Sequence, residues 1–134
     1  MKNKIMIFTI LLASTIWPAE TVGRNGVLNA IALQESGNNP FPNNGKAIHK
    51  DGVSYGRYGM TYVAVAELKD KNYIPKYVKY DLTNDWENRK AARLYLKYCK
   101  DRFQCSWLEA AGYYHSFTKI KREKYLKKIK GKLN

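Results

Sequence analysis

Glu35 is the residue best placed to do chemistry. Leu28, Ile31, Ala32 and Glu35 fall at i, i+3, i+4 and i+7, the set that shares one face of a helix. The first three are apolar, so the stripe turns inward and carries the carboxyl with it. Gly37 supplies a helix stop, Asn38 and Asn39 suit a turn, and Pro40 bars continuation. Glu35 therefore sits in the last helical turn, where the macrodipole disfavours a second negative charge. Burial acts in the same direction. A carboxyl held protonated near neutral pH is what a general acid requires. A glutamate near a helix end is ordinarily a solvated residue or a cap partner; the apolar stripe is what sets this one apart.

Two further stretches hold side chains suited to gripping a ligand. Ser54-Tyr55-Gly56-Arg57-Tyr58-Gly59-Met60-Thr61 is rich in glycine and tyrosine, and Gly112-Tyr113-Tyr114-His115-Ser116 carries an aromatic pair beside a histidine. Glycine lets backbone approach a ligand closely. Tyrosine offers a flat apolar face with a polar tip, which suits sugar rings. With 11 tyrosines in the chain, ordinary packing explains most single ones. Asp51 is the best candidate for a second carboxylate, whereas Glu67, Asp81 and Asp85 occupy positions typical of solvated or capping acids. His49 and His115 belong to no nucleophile motif. Cys99 and Cys105 are the only cysteines, and an even count in an exported chain predicts one disulfide closing a short loop. They make a poor zinc set, and neither a metal nor a cofactor is expected.

The elements that must position these groups are mostly helices. Val22 to Ser36 reads as the first. Asn38 to Gly59 reads as a long loop with a small hairpin around Ala47 to Ser54. Loops of that length tend to be functional. Thr61 is an N-cap candidate for the helix through Leu68. Asn84 with Glu87 and Ser106 with Glu109 have capping-box spacing and open two more helices. Ile120 to Leu133 reads as a basic amphipathic helix with Leu126 and Ile129 on one side. No convincing strand alternation and no repeat appears, so a single, mainly α domain is expected.

Residues 1–19 have the form of a secretory signal peptide, with Lys2 and Lys4 before the apolar run Ile5 to Ile16. The domain then spans 20–134, and an exported protein, periplasmic or extracellular, is expected. The formal net charge of +13 favours polyanionic surroundings such as wall polymers or anionic membrane. Export argues against nucleic acid as the working partner. The lysines from Lys119 to Lys132 either hold the domain on an anionic wall or membrane, or form the solvated side of a packing helix. A monomer is expected.

Glu35-Ser36-Gly37 followed by Asn39-Pro40, then a Ser-x-Gly loop, then an Ala-rich helix ending in tyrosine, resembles the lytic transglycosylases of the soluble type. Goose-type lysozymes share this layout. The resemblance runs from about Val22 to Phe117. It implies a lysozyme-like fold acting on peptidoglycan glycan strands at the bond between N-acetylmuramic acid and N-acetylglucosamine. It implies Glu35 as the single catalytic acid/base and Ser36 as part of its motif. Ser54, Tyr55, Gly56, Tyr58 and Met60 are implied on the substrate loop. Tyr114 and His115 match the family's Tyr-Asn pair, with Tyr113 an alternative register. The chain departs from the family where Gly-Leu-Met-Gln is common and Gly56-Arg57-Tyr58-Gly59 stands here. Gly59 thus takes the glutamine's place, and His115 the asparagine's. The expected outcome is a 1,6-anhydro-muramyl end. A lysozyme-like hydrolase using Asp51 and a non-catalytic cationic wall-binding protein are the alternatives.

Overall fold

The computed structural model describes residues 22–133. The expected signal segment, residues 1–19, lies outside the described residues. Five helices and one short hairpin make up the described chain: α1 (Arg24–Ser36), β1 (Ser54–Tyr55), β2 (Met60–Thr61), α2 (Tyr62–Asp70), α3 (Asp85–Phe103), α4 (Trp107–His115) and α5 (Lys119–Lys130). The domain is mainly α and lysozyme-like, as its sequence suggests. Among the described residues no helix is long and apolar enough to cross a membrane.

Local chemistry sets the helix ends. α1 begins at Arg24, two residues later than its periodicity suggests, and has no side-chain cap. Its other end closes on Gly37 in the left-handed region (φ 63°), with the Gly37 and Asn38 amides donating to Leu33 and Ala32 carbonyls. Thr61 Oγ1 caps α2 by accepting from the Ala64 amide at 3.1 Å. Ser106 and Glu109 form a complete capping box on α4. Asn84 accepts from the Glu87 amide at 3.0 Å, but Glu87 does not reach back. Its carboxylate accepts from the Asp81 amide instead, tying down the segment before α3.

The core gathers where α1, α3, α4 and α5 meet. Val27, Leu28, Ile31, Leu96, Ala110, Ala111 and Ile129 are fully or almost fully buried. Small residues bring α4 and α5 together: a Cβ on Gly112 would stand 2.6 Å from Arg122 Cγ. α5 runs Lys119–Lys130, shorter than its sequence suggests, and Ile120 is exposed. Its inward residues are Tyr125 and Ile129, with Leu126 packed at the edge.

The expected hairpin around Ala47 to Ser54 is present: Ile48 bridges Tyr55 antiparallel, the His49 amide donates to Ser54 O and the Gly56 amide to Ala47 O. A second reversal follows it, in which Ser54 pairs with Thr61 and Tyr55 with Met60. Gly56 (φ 70°) and Gly59 (φ 62°) take up the left-handed turn that links the two strands, which fixes the reversal there. One expectation needs correction: the Cys99–Cys105 disulfide is not formed. Cys99 faces the core from α3, fully buried, and Cys105 follows the left-handed turn at Gln104. Burial, with Cys105 nearby, pushes the Cys99 thiol up to about 12.

Candidate active site

The Glu35 carboxylate lies where three parts of the chain converge. The end of α1 delivers it, the glycine turn meets it from one side and α5 from another. A Cβ on Gly59 would stand 2.6 Å from Glu35 Oε1. No side chain fits at 59 while Glu35 keeps this position. The Tyr125 hydroxyl donates to Glu35 Oε2 at 3.2 Å. Burial pushes the Glu35 carboxyl up from its ordinary value, and Asp51 adds to the rise. The Tyr125 hydroxyl, His49 and Lys128 oppose it without cancelling it.

The glycine turn is held rigidly by long-range polar contacts. Asn88 is a fully buried polar side chain on α3. Its amide nitrogen donates to Tyr55 O at 2.8 Å and Leu82 O at 2.9 Å, and its oxygen accepts from the Tyr58 amide at 3.2 Å. Gly56 presses on it so closely that a Cβ would reach 2.5 Å from Asn88 Nδ2. Ser36 Oγ donates to Arg57 O at 2.7 Å and accepts from the Asn39 amide at 3.1 Å. Arg57 pairs with both oxygens of Asp85 at 3.1 Å and donates to Asn38 O and Oδ1 at 2.8 Å. It thus clamps the α1 end, the turn and the start of α3 together. Tyr114 Oη donates to Tyr58 O at 2.8 Å and touches Met60 Sδ at 3.1 Å. His49 Nε2 lies 2.8 Å from Gly56 O.

A groove passes Glu35. On one side is a cavity of about 460 Å³. Met60, Tyr95 and Tyr114 line it beside Val63, Ala64 and Glu67 of α2, with His115 and Phe117 also on its wall. On the other side a depression of about 480 Å³ is lined by Ser36, Pro42, Asn43, His49 and Lys50. Glu35 and Asp51 border both.

The sequence-predicted residues divide into two groups. Glu35, Ser54, Met60, Tyr114 and His115 line the cavity beside α2, and Ser36 lines the opposite depression. Tyr55, Gly56 and Tyr58 are not among the lining residues. Tyr55 packs edge-to-face on Tyr62 at 5.2 Å, and Gly56 and Tyr58 are buried against Asn88. They shape the turn from behind. Tyr113 stacks on Phe103 at 3.7 Å, so Tyr114 is the tyrosine of the pair that reaches the groove. Sequence reading missed Tyr125 and Asn88. The signal for Tyr125 was its i, i+4 spacing from Ile129 on α5; Asn88 left no local trace.

Asp51, the candidate second carboxylate, is exposed and engaged within its own turn. Its oxygens accept from the Val53 and Ser54 amides at 2.9 Å and from the Ser54 hydroxyl. The Ser54 hydrogen bonds hold its carboxyl below the usual range. Among the described residues, no three His, Cys, Asp or Glu side chains gather as a metal set.

The described domain is helical, with a half-buried carboxyl of raised pKa in an open groove. The family model described as Transglycosylase SLT domain matches residues 20–134, and the chain belongs to that family. The family cleaves glycosidic bonds of peptidoglycan, a polymer outside the cytoplasm. No curated protein and no solved structure matches the chain.

Proposed function

We propose that the protein is a lytic transglycosylase that cleaves the bond between N-acetylmuramic acid and N-acetylglucosamine, with Glu35 as its single acid/base. The observation that carries this reading is the contrast between the two carboxyls bordering the groove. Burial raises the Glu35 pKa, while hydrogen bonds lower that of Asp51 and commit its oxygens to Ser54 and Val53. Hydrolysis through a pair of carboxyls needs the second one free to attack or to activate water.

Glu35 gives its proton to the glycosidic oxygen as the bond from that oxygen to C1 of the muramyl sugar breaks. The substrate's own N-acetyl oxygen stabilises the charge at C1. The Glu35 carboxylate then takes the proton of the C6 hydroxyl as O6 bonds to C1. The 1,6-anhydro ring closes, Glu35 is an acid again, and no water is consumed. Tyr125 steadies the intermediate carboxylate, and the raised pKa suits both proton transfers.

Residues 1–19 act in this reading as the export signal and 20–134 as the working domain, a monomer in the periplasm or outside the cell. The lysines of α5 face outward and favour an anionic wall or membrane, while Tyr125 and Ile129 pack inward. Removing α5 would remove Tyr125 from Glu35, so the wall contact is better tested by replacing exposed lysines with glutamine. For the catalytic claim, Glu35→Gln abolishes wall lysis with helicity unchanged, and Asp51→Asn keeps it. Full lysis by Glu35→Gln would favour the non-catalytic cationic alternative. Loss in Asp51→Asn would favour hydrolysis.

A further inference from the structure

The arm of the groove beside α2 has the wrong charge for its protein. The chain holds 24 lysines and arginines against 11 acids. Yet Glu35, Asp51 and Glu67 line this cavity, and among the described residues no lysine or arginine does. The opposite depression carries Lys50. Glu35 and Asp51 have tasks already given. Glu67 has none in the cleavage, and it is not among the charges that shift Glu35.

Glu67 is built to stay where it is. It follows Val63 by one helical turn on α2, so both face the groove. Its Oε1 accepts from Tyr98 Oη at 2.8 Å, and that hydroxyl accepts in turn from Arg102 at 2.9 Å. Among the described residues Oε2 has no hydrogen-bond partner and no cation pairs with Glu67 within 4.0 Å. A fixed carboxylate with one uncommitted oxygen at a partly desolvated groove wall attracts a cationic donor.

We propose that Glu67 is a specificity-determining residue that recognises a free amino group on the peptide stem, and so favours uncrosslinked strands. The inference rests on the reading of this groove as the glycan-strand site. Crosslinking converts that amine to a neutral amide, which keeps a hydrogen-bond donor and loses the charge. The strand's sugars supply no cation, so the stem is the part of the substrate able to complement Glu67.

The test compares one peptidoglycan preparation with intact stem amines against the same preparation after chemical N-acetylation. The wild-type enzyme is expected to prefer the free-amine material by about fivefold in kcat/KM, the scale of a partly exposed ion pair. Glu67→Gln, which still accepts from Tyr98, loses the preference. A wild type indifferent to acetylation overturns the proposal, as does a Glu67→Gln variant that keeps the preference. Co-sedimentation of the Glu35→Gln protein with both walls gives the same comparison without turnover. It stands or falls independently of which products the enzyme forms.

Discussion

Tyr125 and Glu35 lie 90 residues apart in the chain and share a 3.2 Å hydrogen bond. This contact makes α5 part of the site. The hydroxyl donates to the carboxylate and favours its charged form, while burial favours the neutral one. His115 lies flat on the other side of the tyrosine ring, 4.2 Å between centroids, and holds its angle.

Tyr125→Phe keeps that stacking and deletes the donor. Without it the Glu35 pKa rises further, so the protonated form survives to higher pH. The alkaline limb of kcat/KM is expected to move upward in a pH–rate profile. The rate at the optimum falls by about tenfold, since a hydrogen bond to a charged group is lost from the intermediate carboxylate.

Glu35 also costs stability. A carboxyl whose folded pKa lies above its unfolded one contributes stability below the unfolded pKa, and that contribution is lost as pH rises through the folded pKa. Glu35→Gln removes the ionisable group. Its melting temperature is expected to exceed the wild-type value at neutral pH. The two should converge below about pH 4, where Glu35 is protonated in both states.

Gly59→Ala tests the close approach between the turn and the acid. The new Cβ meets Glu35 Oε1 at 2.6 Å and stands on a left-handed residue. Backbone strain costs about 1–2 kcal/mol, readable as a lower urea midpoint. Displacement of the carboxyl is expected to cost about 100-fold in kcat/KM, more than the stability loss explains.

Asn88→Ala removes a buried side chain that satisfies Tyr55 O, Leu82 O and the Tyr58 amide. Buried groups left unpaired make this a loss of about 3 kcal/mol in denaturant unfolding. Lytic activity falls with it, because the same bonds hold the turn against Glu35.

What the sequence made legible was local. The stripe Leu28-Ile31-Ala32 places Glu35 inward because helical periodicity is set within two turns. Gly37, Thr61 and the Ser106–Glu109 box mark helix ends because a cap needs only neighbours in the chain. The illegible parts depend on distant partners. Asn88 holds a turn some thirty residues away, and Tyr125 reaches Glu35 across most of the domain. The second reversal was illegible because distant partners fix it: Gly56 packs on Asn88, and Gly59 approaches Glu35. The cysteine count suggested a bond that the fold does not make, since burial on α3 sets the course of Cys99.

Mass spectrometry of peptidoglycan digested by the purified protein tests the central claim most directly. One carboxyl working alone as acid and base predicts muramyl fragments that end in 1,6-anhydro rings, lighter by one water than hydrolysed ends. Fragments ending only in reducing muramic acid would contradict it and assign the second step to water.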